Sequence, residues 1–179
     1  MSGMSRRDLV TKIGAMAGFA LLGETAWAAS RWSCGPEIDM PISIAIGTVE
    51  TAPFAVKKAY YQMWFRAKRV LPSVDLLCML GTKPLFQPIH CDLDPLLDLG
   101  WVVLDGTRIV AQGSVSGRDN SADSTKDYYD LHIGGFFGES KKKYVVQLKF
   151  SKDGGALAQT GPRLIIQQNS SFWCSDGPL

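Results

Sequence analysis

Trp101-Val102-Val103-Leu104-Asp105-Gly106-Thr107-Arg108-Ile109-Val110-Ala111 is the stretch on which the fold turns. Two apolar, β-branched runs flank Asp105-Gly106, a pair suited to a tight turn, so the segment reads as a β-hairpin. Downstream, Lys143-Tyr144-Val145-Val146-Gln147-Leu148-Lys149-Phe150 alternates. Side chains two residues apart share a face of a strand, which turns Tyr144, Val146, Leu148 and Phe150 inward. Upstream, residues 60–68 put Tyr61, Met63, Phe65 and Ala67 on one face, and residues 42–49 alternate in the same way. Residues 127–133 predict a further strand that ends in a break at Gly134-Gly135-Phe136-Phe137-Gly138, and residues 162–168 supply the last one. Turn formers cluster at 81–84, 114–127 and 152–155. Two segments differ: Leu76-Leu77-Cys78-Met79-Leu80 reads as a short helix, and residues 94–99 as a single helical turn. The expected fold class is all-β, an immunoglobulin-like antiparallel β-sandwich of about seven or eight strands with one or two short helical turns.

At 179 residues the length suits one folded domain behind its leader. With 46% hydrophobic and 20% charged residues the chain is neither a disordered tail, a fibre nor a polytopic membrane protein. A net charge of +2, without a basic stripe, argues against a nucleic-acid partner.

The first residues read as an address. Arg6 and Arg7 precede an apolar run from Ile13 to Leu22, and Ala26-Trp27-Ala28 forms an A-x-A cleavage site. The run is shorter than the ~20 apolar residues a membrane-spanning helix needs, so cleavage leaves no transmembrane anchor. Ser5-Arg6-Arg7-Asp8-Leu9-Val10 resembles the twin-arginine export motif, with an ordinary Sec signal as the other reading. We therefore expect a signal peptide at 1–28, a single β-sandwich domain at 29–179, and a protein exported to the periplasm or secreted. The leader carries Arg6, Arg7 and Lys12 against Asp8 and Glu24, so the rest of the chain is close to neutral.

All four cysteines, Cys34, Cys78, Cys91 and Cys174, follow the leader. In an oxidising compartment an even count reads as disulfides. We expect Cys78–Cys91, closing a short loop, and Cys34–Cys174, tying the two ends together. A metal site built on His90 and the thiols fits less well, because no CxxC pair exists and the spacings match no zinc template.

Catalytic chemistry is thin. Only His90 and His132 are available, and no nucleophile elbow, H-E-x-x-H or phosphate-binding glycine loop occurs. Asp92, Asp94 and Asp98 form an acidic stretch of the kind any loop carries, and Asp92 reads equally well as a cap for the turn beyond it. We expect no catalytic residues, no cofactor and no resident metal. The stretch from Asp119 to Asp130 places oxygen side chains at alternate positions and partly echoes a calcium loop. Ser124 stands where the loop needs glycine and Asp130 where it needs glutamate, which favours a polar loop. The lysine run 141–143 suggests a solvated turn guarding the edge of the strand at Tyr144. Trp64, out of phase with Met63 and Phe65, is expected to expose its ring.

Residues 60–168 resemble small, uncharacterised periplasmic immunoglobulin-like domains of proteobacteria. The likeness rests on the apolar strand at 61–65, the hairpin at 101–111, Gly134-Gly135-Phe136-Phe137-Gly138, the strand at 144–150, and the lead-in Ala156-Leu157-Ala158-Gln159-Thr160-Gly161-Pro162-Arg163-Leu164. It is architectural and brings no catalytic motif. Some comparable domains are immunity proteins, so the resemblance implies a non-enzymatic domain that binds a partner protein in the cell envelope. The alternative is a carbohydrate-binding module that stacks a glycan on Trp64 or Trp173. Candidate contacts are Trp64, Asp119, Asp123, Lys126 and Trp173, together with the loops at 116–126 and 83–90.

Overall fold

The computed structural model describes residues 36–82, 91–92, 94–117 and 122–169. All of them belong to one compact unit, Pro36–Leu179. The leader, Cys34, His90, Asp119, Trp173 and Cys174 lie outside the described residues.

The chain is all-β and antiparallel throughout, in two sheets. Among the described residues there are ten strands, against the seven or eight expected. They are β1 (Ile38–Pro41), β2 (Gly47–Glu50), β3 (Phe54–Ala55), β4 (Ala59–Lys68), β5 (Leu99–Asp105), β6 (Arg108–Val115), β7 (Ala122–Ser124), β8 (Tyr128–Gly138), β9 (Lys143–Phe150) and β10 (Arg163–Gln168). One sheet runs β1-β10-β4-β8-β7; the other runs β2-β9-β5-β6, with β3 paired to the far end of β9. A helix, α1 (Ser73–Leu80), links β4 to β5, and a 3-10 helix, Gly155–Thr160, leads into β10.

The alternation read from the sequence is the alternation of burial. Tyr61, Met63, Phe65 and Ala67 of β4 are fully buried, as are Val146 and Leu148 of β9, with Tyr144 and Phe150 nearly so. They join Leu99, Val103, Leu131 and Ile166 in one core between the sheets. Asp105 and Arg108 pair across the expected hairpin, and Gly106 takes φ +62° in its turn.

Four expectations need correction. Residues 42–49 are not one strand: β1 belongs to the first sheet and β2 to the second, and residues 42–46 carry the chain across. Ile42 and Ile44 keep the apolar alternation because the crossing itself is buried. Residues 134–138 do not break β8 but complete it. The register between β4 and β8 slips beside Met63, where Gly134 and not Ile133 is its partner. Such a bulge inserts one residue and shifts the phase of everything beyond it. Residues 94–98 form no helical turn; the Leu96 N–H donates to the Met79 carbonyl at 2.9 Å, holding the segment against α1. Finally, β9 is not an edge, since β5 and β2 flank it. In the lysine run, Lys142 reaches Glu139 at 2.9 Å and Asp105 at 3.4 Å, so it pins a turn.

Tyr61 illustrates how burial couples to pH. Its hydroxyl accepts the Lys57 N–H at 3.0 Å, and burial, the larger effect, raises its pKa above the ordinary tyrosine value. The folded hydroxyl therefore holds its proton to higher pH than the unfolded one. This contribution to stability is complete below about pH 10 and is lost as pH rises beyond, by at most about 1.4 kcal/mol per pH unit. Tyr61→Phe is expected to flatten this alkaline decline while costing about 1 kcal/mol at pH 8, as read by urea unfolding across pH 8 to 11.

Candidate functional site

Sequence reasoning pointed to Trp64, and the structure places it on the outer face of the first sheet. Its ring is half-buried rather than exposed. It meets His132 of β8 edge-on, with ring centroids 4.9 Å apart, and both Trp64 Nε1 and His132 Nε2 are buried without a hydrogen-bond partner in the structure. One step along the same face, Arg66 donates through Nε and Nη2 to both Asp130 carboxylate oxygens, each at 2.7 Å. The guanidinium also lies 5.1 Å over the Tyr128 ring. The Asp130 hydrogen bond raises the Arg66 pKa, keeping this side chain charged. The outward row of β4 and β8 is thus spent on itself: the tryptophan has a histidine against it, and the arginine a bidentate carboxylate.

Asp130 is the residue that would close the calcium-like loop, and it is held by arginine instead. Asp123 is exposed on the short strand β7, and Lys126 is exposed in the turn that follows. Asp92 and Asp94 are exposed in the segment before β5, whereas Asp98 uses its carbonyl to accept from Ser151 N and Oγ at 3.0 and 3.1 Å. Cys78 and Cys91 form the expected disulfide, with a sequence separation of 13. Among the described residues, no group of three or more His, Cys, Asp or Glu side chains is placed to hold a metal ion.

The outer face of the second sheet differs. Here the cross-strand register sets Thr48, Lys149, Gly100 and Ser114 in one row, and Glu50, Gln147, Val102 and Gln112 in the next. A groove of about 390 Å³ opens on this face, lined by Thr48, Gly100, Gln112, Ser114, Gln147 and Lys149 among others. Its volume falls in the range of small-ligand clefts. The depression exists because Gly100, in a central strand, has no side chain while its neighbours on β6 and β9 do.

Among the described residues, nothing requires that glycine. Gly100 does not adopt positive φ, and among the described residues a Cβ built on it meets only the Gly113 carbonyl oxygen, at 3.9 Å. By contrast, a Cβ on Gly113 or Gly134 would come within 2.6 or 2.2 Å of the Trp101 ring, and one on Gly138 within 2.5 Å of Val56. Those glycines make room for neighbours. A strand-interior glycine weakens its strand, and where packing does not demand it, close approach of a ligand or another backbone is the usual reason. Sequence reasoning missed this site. The signal was Gly100 itself, a glycine at the head of an apolar strand, but its meaning depends on Lys149 and Ser114, which only the register brings beside it.

The groove adjoins an open edge. Among the described residues, β6 pairs with β5 alone, and its Ile109 is 54% exposed. β6 carries Arg108 and a bulge opposite Val103 and Leu104, both devices that blunt a sheet edge, but neither lysine nor proline. Gly113 and Ser114 are exposed there too.

Fold and site together define an all-β antiparallel sandwich with a polar groove beside β6, which among the described residues pairs on one side alone. It is similar to a protein from Sulfurospirillum deleyianum known from its crystal structure: the TM-score is 0.53 and identity 10%, over 74% of this chain and 97% of that one. The likeness is one of fold. No family model matches the chain, and no curated protein matches it. Among the described residues, no helix is long and apolar enough to cross a membrane.

Proposed function

We propose that the chain is an exported, non-enzymatic interaction domain of the cell envelope, of the kind that includes immunity and inhibitor proteins. It binds a partner protein by receiving an extended segment along β6 beside the Gly100 groove. The observation that carries this reading is the glycine that packing does not require, set one strand away from the open edge. Strand addition draws affinity from main-chain hydrogen bonds and specificity from alternate side chains that enter pockets on the sheet face. β6 offers the first and the groove the second. The disulfide fits an oxidising compartment, and the leader supplies the route to it.

Gly100→Val tests the proposal directly. Valine favours strands and fills the groove, so thermal stability is expected to hold or rise by about 0.5–1 kcal/mol. A non-reducing pull-down from envelope and secreted fractions of the source organism is expected to recover a stoichiometric protein with the wild-type chain and to lose it with the variant. Retention of the same partner by Gly100→Val would remove the groove from the interface.

A carbohydrate-binding reading is the second, supported by the hydroxyl and amide groups of the groove. Trp101 is among the groove's lining residues, but it is buried with its ring packed against Gly113 and Gly134, and Trp64 lies on the other sheet. Unchanged tryptophan fluorescence across a glycan and peptidoglycan panel is the result expected if the protein-binding reading holds.

A further inference from the structure

On the other sheet, and independent of strand addition, we infer a second binding surface. Tyr60 and Phe137 form an aromatic ledge that stacks a neutral, β-linked oligosaccharide, with Gln62 and Gln167 as its hydrogen-bonding rim. The run Gly134-Gly135-Phe136-Phe137-Gly138 leads to it, because packing accounts for every residue there except Phe137. Gly134 clears the Trp101 ring and Gly138 clears Val56. Phe136 is buried, stacked on Tyr61 with centroids 5.5 Å apart and tilted against Tyr144 at 5.3 Å. Phe137 points outward instead and is 59% exposed, directly opposite Tyr60, which is 42% exposed. Gly135 sets how Tyr60 lies. A Cβ there would come within 2.6 Å of the Tyr61 carbonyl oxygen and 2.7 Å of Tyr60 Cζ, and closer still to the Tyr60 hydroxyl. The tip of the Tyr60 ring thus takes the place of the missing side chain, so the ring leans from β4 onto β8 along the sheet. Directly opposite residues have Cβ atoms about 5 Å apart, which makes the two aromatics one ledge.

Size and surroundings select the occupant. A single exposed aromatic needs no reason, and two adjacent ones remain a small patch. Their open surface is on the order of 200 Å², against about 800 Å² per partner in a stable protein interface. Among the described residues, the other exposed large apolar side chains, Ile46, Val70, Val74 and Ile109, lie off β4, β8 and β10 and do not enlarge it. The next row on this face is Gln167, Gln62 and Gly135, so neither row carries a charge on β4, β8 or β10. A carboxamide both donates and accepts, as a sugar hydroxyl does. A wholly apolar molecule needs a concave site to bury itself, and this face is open. A pyranose with equatorial hydroxyls meets both demands: its flat C–H face covers the rings while its hydroxyl edge reaches the amides.

The test is a titration of the oxidised chain, labelled with 15N and with 13C in its aromatic rings, with cellohexaose. Isomaltohexaose, whose linkage does not hold successive sugars in one ribbon, is the comparison. The expected result is that cellohexaose moves the ring resonances of Tyr60 and Phe137 and the side-chain amides of Gln62 and Gln167, and binds more tightly than isomaltohexaose. Phe137→Ala, at an exposed position, is expected to weaken binding about fivefold, whereas Phe137→Tyr retains it. Trp64 stands four positions along β4, about 14 Å away, so the ledge fills without a change in its fluorescence. Wild-type affinity in Phe137→Ala overturns the ledge, as does an absence of ring shifts at millimolar cellohexaose. Shifts at Gln112 and Ser114 in place of the rings overturn it too. Ring shifts that follow protein concentration without sugar assign the patch to a second copy of the chain and overturn the glycan. Strand addition along β6 is read separately, by the Gly100→Val pull-down.

Discussion

Gly134→Val is expected to cost about 4 kcal/mol, enough to leave a marginal domain largely unfolded. Trp101 is the reason. Its indole occupies a slot between β6 and β8 that exists because residues 113 and 134 have no side chains. A Cβ on Gly134 would sit 2.2 Å from Trp101 Cζ2 and 2.5 Å from Cε2, and on the other side the same ring blocks a Cβ on Gly113 at 2.6 Å. The ring therefore cannot retreat from one glycine without meeting the other. Valine adds a backbone cost, because Gly134 has φ +156° at the bulge in β8. Urea unfolding measures the loss, and Trp101→Leu in the same chain provides the control. It vacates the slot, so the double variant is expected to be more stable than Gly134→Val alone, a non-additivity that marks direct contact. A Gly134→Val protein that unfolds at the wild-type urea concentration would mean that the slot is not as described.

The second large effect belongs to the disulfide. Cys78 sits in α1 and Cys91 in the segment that leads to β5, so the bridge fastens the helix to the chain that crosses between the sheets. Chain-entropy arguments assign a loop of this length about 3 kcal/mol. Cys78→Ser with Cys91→Ser is therefore expected to lower the melting temperature by about 6–12 °C. Native packing should survive, because Leu76 and Leu80 remain buried and Met79 still accepts the Leu96 N–H. Thermal unfolding followed by near-UV circular dichroism reads both quantities. An unchanged melting temperature would show that packing alone holds α1.

These effects also mark where sequence reading succeeds and stops. Period-two alternation located β4, β9 and the β5–β6 hairpin with their inward faces, because each strand pairs on both sides or turns back on itself at a glycine. It failed at 42–49, since the buried crossing between sheets keeps the apolar rhythm of a strand without its pairing. It failed again at 134–138, where a glycine pair signals a break or a bulge with equal force. Trp101, more than thirty positions away in sequence, decides for the bulge. For Trp64 the phase was right and the inference wrong: it does point outward, but His132 is there to meet it. Of the predicted contacts among the described residues, Trp64, Asp123 and Lys126, none lines the groove. That hollow is defined by an absence at Gly100 and by partners drawn from β2, β6 and β9, so no local pattern could announce it.

The pairing of β1 with β10 has a consequence for how the chain reaches this structure. Ile38 finds Ile166 and Pro41 finds Arg163, so the first strand waits for the last before it has a neighbour. A nascent chain emerging from the ribosome cannot complete the first sheet until β10 has been made, and until then the β4 flank that β10 will cover stands open. Contacts of such long sequence separation slow folding toward the millisecond-to-second range typical of sandwiches. A chain truncated before Arg163 would keep that flank permanently open, and its fate is aggregation rather than a smaller stable domain.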